Sequence, residues 1–329
     1  MKLGVTLGLA ALLVNGCFGN AERACTTGAD CASGQCRVDG TCAPAPSADA
    51  GALRDGSSGG SGGDALVSMT DAGAVTSEAS ALPDTGIAPP KQDAAAGCVP
   101  NKDGIIVRQE VPLAAGFRAT YRVAQNAAVS MAGVSKPDGT RTWDLSGALA
   151  GDHTLLVETT ATTGQWFDPE FAGAAYSARL SDSSNLLGVF GLSPTAILLR
   201  GVVSPTDGAS KTDLKNATEV AVLSFPMKLT STWKTQTNVT GYAQGILAAY
   251  TELYESEVDA AGSLVTPYGT FAVLRVNTLL TRTVGALPTK TRTFAFVSEC
   301  FGPVATVVSQ SNEAQVEFTT AAEVQRLSP

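Results

Sequence analysis

The sequence has little of the residue types on which most catalytic and nucleic-acid-binding sites depend. Among 329 residues there is one histidine, His153, and aromatic and charged residues make up 6% and 16% of the chain. A serine or cysteine hydrolase would need His153 as its base, yet no Gly-x-Ser-x-Gly motif accompanies it. No phosphate-binding glycine loop is present, so the sequence predicts no cofactor. With a net charge of −8 and no basic stripe, nucleic acid is not an expected partner.

The N-terminal hydrophobic run is too short to cross a membrane as a helix. Residues 3 to 14 would rise about 18 Å, whereas a membrane span takes about 20 residues. The run follows Lys2 and ends shortly before Gly16 and Cys17. A positive residue, a short apolar run and a small residue before the cleavage point are typical of a secretory signal. Residues 1 to 16 are therefore predicted to be a signal peptide.

The end of this run resembles the cleavage box of bacterial lipoprotein signal peptides, in which a small residue precedes a cysteine. The resemblance implies that Cys17 becomes the N-terminal residue and carries acyl chains, which would anchor the chain in a membrane. It also implies export, with an outer-membrane or cell-surface location. A plain signal peptide, cut without lipid attachment, is the alternative.

The cysteine count agrees with a lipid on Cys17. The chain has seven cysteines, and assigning one to lipid leaves six that can pair. Export favours disulfides, so we expect Cys98 to pair with Cys300, with free thiols or an intermolecular bond as the alternative. The pairing within the remaining cluster is left open; its members are Cys25, Cys31, Cys36 and Cys42. Zinc is a weaker alternative for that cluster, because no Cys-x-x-Cys pair is present.

Composition divides the rest of the chain into three parts. Residues 17 to 42 form a cysteine-rich knot, which resembles the short repeats that follow the lipid cysteine in bacterial surface lipoproteins. Residues 43 to 97 are rich in Gly, Ser, Ala and Asp and are predicted to be a disordered linker. From residue 98 to 329, branched and aromatic residues alternate with polar ones, which predicts a β-rich domain.

The domain is expected to be mainly β, with a curved antiparallel sheet. Alternation is clearest where Phe117 and Tyr121 interleave with Arg118 and Arg122. Further strands are predicted at residues 104–111, 127–133, 153–160, 174–181, 195–203, 219–225, 244–259, 270–284, 291–299, 303–309 and 313–319. A short helix is predicted near 168–172 or in the last ten residues.

The C-terminal third carries a second resemblance. Residues 246–259 and 264–284 are predicted to be long strands joined by a turn at 260–263. Pro267-Tyr268-Gly269-Thr270-Phe271, Phe296-Val297 and Gly302-Pro303-Val304 are similar to a pattern in uncharacterised periplasmic β-domains of the lipoprotein-localisation-factor type. That resemblance implies a half-barrel or β-sandwich-like sheet. Cys300 shares strand parity with Phe294 and Phe296, so it should face the core.

Two groups of residues are candidates for a site. Glu255, Glu257 and Asp259 alternate and would project from one face, as a solvated surface or, less readily, as a metal site. The candidates for ligand contact are aromatic: Trp166, Phe167, Tyr250 and Tyr254. Trp166 and Phe167 are expected to form an exposed rim, whereas Tyr254 is expected to face away from the carboxylates.

These features favour a non-catalytic function. The leading hypothesis is an envelope lipoprotein whose β-domain binds an apolar small molecule or an envelope protein in the concave face of its sheet. The first alternative is a structural or surface-interaction lipoprotein with a filled core. The second is a carboxylate-dependent hydrolase that uses Glu255 or Glu257. No oligomeric state is predicted.

Overall fold

A computed structural model of the protein describes residues 97 to 329. The predicted signal peptide, the lipid site at Cys17, the linker and the cysteine-rich knot with Cys25, Cys31, Cys36 and Cys42 lie outside the described residues. Within the described range, no helix is both long enough and apolar enough to span a membrane.

The described residues form sixteen strands and two 3₁₀ segments, Arg108–Glu110 and Asp168–Phe171. The strands are β1 (Ile105–Ile106), β2 (Arg118–Ala128), β3 (Val134–Ser135), β4 (Arg141–Asp144), β5 (His153–Thr160), β6 (Tyr176–Arg179), β7 (Leu187–Ser193), β8 (Ala196–Val203), β9 (Asp213–Ser224), β10 (Met227–Lys228), β11 (Thr232–Ala243), β12 (Ile246–Val265), β13 (Thr270–Val284), β14 (Leu287–Ser298), β15 (Gly302–Ser309) and β16 (Thr320–Leu327).

Twelve of these strands form one sheet that closes on itself. The order around the ring is β11, β9, β8, β7, β6, β5, β2, β16, β15, β14, β13 and β12, and β12 pairs with β11 again. Every pairing in the ring is antiparallel, which confirms the predicted mainly-β, curved antiparallel fold. The curvature exceeds that of a half-barrel. Closure leaves the ring without a free edge, since each of the twelve strands has a neighbour on both sides.

A hydrophobic core fills the interior of the ring. It joins residues from opposite sides, with Phe190 and Leu199 from β7 and β8 in the same cluster as Val276 and Leu280 from β13. Alternation along β12 places Tyr254 and Val258 in this core, while Glu255 and Glu257 face outwards. The predicted division of β12 into an apolar and a carboxylate face is therefore confirmed.

A second core covers part of the outer wall. Phe294, Phe296 and Val307 project outwards from β14 and β15 and pack under Trp143 and Phe318, which come from the segments that follow β2 and β15. The indole of Trp143 lies edge-on to Phe296, with ring centroids 5.1 Å apart, and donates to the carbonyl of Met131 at 2.8 Å. The second half of β14, from Thr293, and most of β15 are consequently buried on both faces. This explains why these parts of the sequence show little polar alternation.

A cap closes the end of the ring where the described chain begins. Ile106 and Val111 are buried in the interior core, and β1 pairs with β10. The predicted disulfide between Cys98 and Cys300 is present and pins this cap, with Cα atoms 5.5 Å apart. Cys300 is fully buried, but it lies beyond the end of β14 in a left-handed backbone conformation with φ +67°. Its burial comes from contact with the cap and not from strand parity.

The turn predicted at residues 260–263 is wrong. Strand β12 runs on to Val265, with a bulge between Val258 and Ala260, and the reversal occurs at Thr266–Gly269. Gly262 marks a close approach instead: β4 pairs with this part of β12, and a Cβ on Gly262 would lie 1.8 Å from the carbonyl oxygen of Arg141. The glycine is needed for contact between strands, which sequence alone does not distinguish from a turn.

Several other boundaries also differ from the predictions. Residues 313–319 form a loop instead of a strand, and the last ten residues contain β16 instead of a helix. The predicted strand at 127–133 ends at Ala128, where β2 stops. The short helix near 168–172 is confirmed as the 3₁₀ segment Asp168–Phe171. Strands β3, β4, β7, β10, β11 and β16 were not predicted.

Candidate functional site

The interior of the ring offers little room for a ligand. The cavity between β2, β7, β9 and β16 has a volume of about 50 Å³. It is lined by apolar side chains such as Phe117, Ile197 and Val222 and by the side chain of Gln325. A small-molecule site usually needs about 300 Å³ or more. The interior of the ring is therefore filled by the protein's own side chains.

The two tyrosines predicted to touch a ligand lie inside this packing. Tyr254 is buried, and its hydroxyl donates to the Glu252 carboxylate, which also forms a buried ion pair with Arg282. The Arg282 guanidinium lies 4.9 Å from the ring of Tyr250. Burial raises the pKa of both tyrosine hydroxyls. These tyrosines are positioned by an internal polar cluster, and neither lines the interior cavity.

The predicted exposed rim of Trp166 and Phe167 is wrong for Phe167. Phe167 is fully buried between the second 3₁₀ segment and the outer face of β7 and β8. Trp166 is half-buried, donates from its indole nitrogen to the carbonyl of Ser204 at 3.0 Å, and has Lys211 4.4 Å above its ring. The two rings pack edge-to-face. They hold the segment between β5 and β6, here called the covering segment, against the sheet.

The predicted carboxylate row borders an open cleft on the outer wall. The cleft has a volume of about 590 Å³, and its lining includes Glu255, Glu257, Lys234 and Arg292. Lys234 pairs with Glu255 at 2.9 Å, so the cleft contains both charge signs. Arg292 donates to Asn277 at 2.6 Å, while its Nε is buried without a partner among the described residues. Burial lowers the pKa of Arg292.

The third carboxylate of the row, Asp259, is occupied by a buried arginine. Arg275, 1% exposed, donates from Nε and Nη2 to the two Asp259 oxygens at 2.8 and 3.0 Å. It also donates to Glu317 at 2.8 and 2.9 Å, and its guanidinium lies 4.3 Å from the Phe294 ring. Among the described residues, no group of three acidic, histidine or cysteine side chains is placed to hold a metal ion. Asp259 therefore serves an ion-pair network that borders the cleft.

His153 is engaged through both ring nitrogens. Its Nε2 lies 3.0 Å from the Asp182 carboxylate, and its Nδ1 lies 3.1 Å from the carbonyl of Gly151. The hydrogen bond to Asp182 raises the pKa of His153, with a smaller contribution from Gly151. Because neither nitrogen faces a hydroxyl or thiol nucleophile, this geometry does not form a catalytic triad.

Sequence reasoning missed a buried acid beside this histidine. Glu323 on β16 is 1% exposed, accepts from Gln325 at 2.6 Å and accepts from the backbone N–H of Asp182 at 3.3 Å. Burial raises the pKa of Glu323 to about 7, and the nearby Asp182 charge acts in the same direction. An acidic residue within a strand of small and apolar residues was the available clue. It was missed because no strand was predicted in the last ten residues, which were one of two places where a short helix was expected.

The raised pKa values of Glu323 and His153 predict that the free energy of unfolding falls between pH 5 and pH 8.5. Each pKa is raised in the fold, so each group stabilises fully below its ordinary value, 4.5 for Glu323 and 6.5 for His153. That stabilisation is lost as the pH rises through the raised values. We expect the free energy of unfolding to drop by about 2 kcal/mol, mostly because Glu323 ionises in a buried site. Urea unfolding at several pH values measures this.

The matched variant for that test is Glu323→Gln, which removes the titrating group and keeps the shape. Since an amide reproduces only one of the two acceptor oxygens, the absolute stability of the variant is not the readout. The slope of stability against pH should flatten. A variant with the wild-type slope would contradict the assignment of the pH dependence to Glu323. Asp182→Asn would remove the partner of His153 and the charge beside Glu323, and it should flatten the remaining slope.

Comparison with known proteins identified no relative of this chain. No family model, no curated protein and no solved structure matches the chain.

Proposed function

We propose that this chain is a lipid-anchored protein of a bacterial envelope that acts without catalysis through the outer surface of its closed sheet. The observation that carries the proposal is the filled interior, with its cavity of about 50 Å³. An apolar ligand in the concave face, which is the leading prediction from sequence, would have to displace core side chains such as Phe190 and Ile197. The geometry gives more support to the alternative with a filled core.

The anchor part of the proposal is supported by the sequence. Gly16-Cys17 follows a short apolar run, and lipid on Cys17 leaves an even number of cysteines. The described disulfide between Cys98 and Cys300 fits an oxidising compartment. Two or three acyl chains would hold the chain durably, at about 0.8 kcal/mol per buried methylene.

The outer cleft is the part of this surface that best suits a polar contact with an envelope partner. It combines the Glu257 carboxylate with the half-buried Arg292 guanidinium and the Lys234–Glu255 pair. A hydrolase would need a protonated acid next to an ionised carboxylate. Glu255 and Glu257 do line one cleft, but both are exposed and Glu255 is held by a lysine. That environment favours binding over acid catalysis.

Mass spectrometry of the protein purified from membranes tests both parts of the proposal. We expect the N-terminal peptide to carry a covalent diacylglyceryl mass on Cys17, and a Cys17→Ala variant to lack it. In the native spectrum of the intact protein we expect no bound lipid, because the interior holds no cavity of ligand size. An unmodified Cys17 would refute the anchor. A stoichiometric non-covalent lipid would instead restore the prediction of an apolar ligand.

A further inference from the structure

Two neighbouring hairpin turns carry large apolar side chains into solvent. The turn between β11 and β12 exposes Tyr242, Ile246 and Leu247, and the turn between β13 and β14 exposes Val284 and Leu287. Leu247 and Leu287 are 75% and 76% exposed. We call residues 242–247 and 284–287 the apolar tips. Five such residues in two short turns exceed the scattered exposure of single apolar side chains that is normal on a surface.

The two tips lie at the same end of the ring. Strand β12 leaves the first turn and β13 enters the second, and these strands pair antiparallel, with Thr251 opposite Thr283. Strand β12 starts at Ile246, five residues before that pair, so the first hairpin extends beyond the second. No charged residue occurs in the stretches 241–251 and 283–289. The two turns therefore present uncharged apolar side chains, and the charged pair nearest to the first turn is Asp207–Lys211, on the loop whose Lys211 carbonyl accepts from the N–H of Gly245 at 2.9 Å.

The strands behind the tips are polar on their outer faces. Along β11 the exposed positions Lys234, Gln236, Asn238 and Thr240 precede the tip. The change from polar strand to apolar turn occurs at Tyr242. Tyrosine suits such a boundary because its ring is apolar and its hydroxyl prefers water. The pattern limits apolar contact to the depth of the turns.

We propose that the apolar tips insert into the surface of a lipid bilayer. A bilayer accepts two convex turns without needing a matching groove, and hairpin pairing leaves few backbone groups unsatisfied in the turns. Shallow apolar insertion adds to a lipid anchor in the way that two weak membrane signals combine. The choice of a membrane over a second copy of this chain rests on the proposed anchor at Cys17.

The chain is long enough for the tips to reach the membrane that holds the anchor. The described domain begins beside Cys300, at the far end of β14 from Leu287, so the tips lie about 40 Å from the attachment point of the preceding chain. The 80 residues between Cys17 and Cys98 span at most roughly 270 Å. An anchor at Cys17 therefore does not prevent the domain from turning its tips towards the bilayer.

The test separates insertion of the tips from lipid anchoring. The chain from residue 17 onwards, carrying Cys17→Ala and exported behind a cleavable signal, is floated with phosphatidylcholine vesicles. We expect it to bind, and we expect the double substitution Leu247→Ser and Leu287→Ser to lower its partition coefficient at least tenfold. Binding should change little between low and high salt, because the tips carry no charge.

The control replaces apolar residues of comparable exposure elsewhere, Val134→Ser and Leu156→Ser, at 71% and 53%. This variant should float like the parent. No flotation of the Cys17→Ala protein, or equal loss in both variants, would overturn the proposal. Concentration-dependent dimerisation that the tip variant abolishes, without vesicle binding, would assign the tips to a second copy. Failure of the anchor alone would appear separately, as an unmodified Cys17 in the protein with its native cysteine.

Discussion

Replacing both Cys98 and Cys300 with alanine is expected to lower the free energy of unfolding by about 5 kcal/mol. The bond joins residues separated by 202 positions, which encloses most of the described domain in one covalent loop. In the chain-entropy model, a loop of this length restricts the unfolded chain by about that amount. Since domains of this kind are stable by roughly 5–15 kcal/mol, the loss would be a large fraction of the total. Urea unfolding of the parent and the double variant measures it.

The bond also holds the cap over the end of the ring. The backbone N–H of Cys300 donates to the carbonyl of Glu110 at 2.7 Å, and that of Lys102 donates to the Glu299 carboxylate at 2.9 Å. Without the bond, these contacts and the burial of Val111 must hold the cap alone. Ala is preferred to Ser because Cys300 is fully buried. A loss below about 1 kcal/mol would show that the cap detaches before the domain unfolds, so that the loop does not restrict the relevant state.

Sequence alone was sufficient where one strand alternates and one face is buried. In β12 the carboxylates Glu255 and Glu257 and the core residues Tyr254 and Val258 separate as predicted, because a period of two fixes the faces of a strand. Pairing of Cys98 with Cys300 was also predictable, since a cluster of four cysteines elsewhere left these two as partners. Local pattern and simple counting carried both predictions.

Sequence alone was insufficient where contacts between distant segments decide the structure. Strand β11 was missed because its residues are mostly Thr, Asn, Gln and Lys, and only pairing with β12 and β9 makes it part of the ring. Gly262 was interpreted as a turn because the approach of β4 is not visible in local sequence. The closure of the sheet has the same origin, since it depends on which strands become neighbours.

The candidate site was predicted only in part, because it also depends on contacts between distant segments. The carboxylate row was found from its spacing, but its neighbours Lys234, Asn277 and Arg292 come from three other strands. The predicted rim at Trp166 and Phe167 failed because a covering segment turns Phe167 into the sheet. Arg275 offered a clue that was not used. An arginine within the apolar stretch at the start of β13 needs acidic partners, and Asp259 and Glu317 supply them.

Substituting Arg275 with methionine is expected to destabilise the domain by about 3–5 kcal/mol. Burial opposes the charge on Arg275, but the hydrogen bonds that it donates to Glu317 and Asp259 outweigh that effect and raise its pKa. Methionine would fill much of the volume but leave Asp259 without its ion-pair partner and Glu317 with Arg141 alone, and breaking one side of a buried pair has this large effect. The matched control is Arg118→Met, whose exposed pair with Glu158 should be worth less than about 1 kcal/mol. Urea unfolding compares the two.

The origin of that loss can be separated from loss of packing by removing the carboxylate charges as well. The triple variant Arg275→Met, Asp259→Asn, Glu317→Gln removes both carboxylate charges and leaves only the partly exposed Arg141 without its acidic partner, so it should recover a substantial part of the stability. The single variant Arg275→Met should also lose less stability, relative to the wild type, at low pH. In the wild type, burial raises the pKa of Glu317, but Arg275 and Arg141 lower it by more, so the net shift is downwards. The stabilisation from the ion pairs of Glu317 is therefore present above its ordinary pKa of 4.5 and disappears as the pH falls through the lowered value. Arg275 also donates from Nη1 to the carbonyl of Met131 at 2.6 Å. A triple variant as unstable as the single one, with a deficit that does not change with pH, would instead assign the role of Arg275 to this bond and to its contact with Phe294.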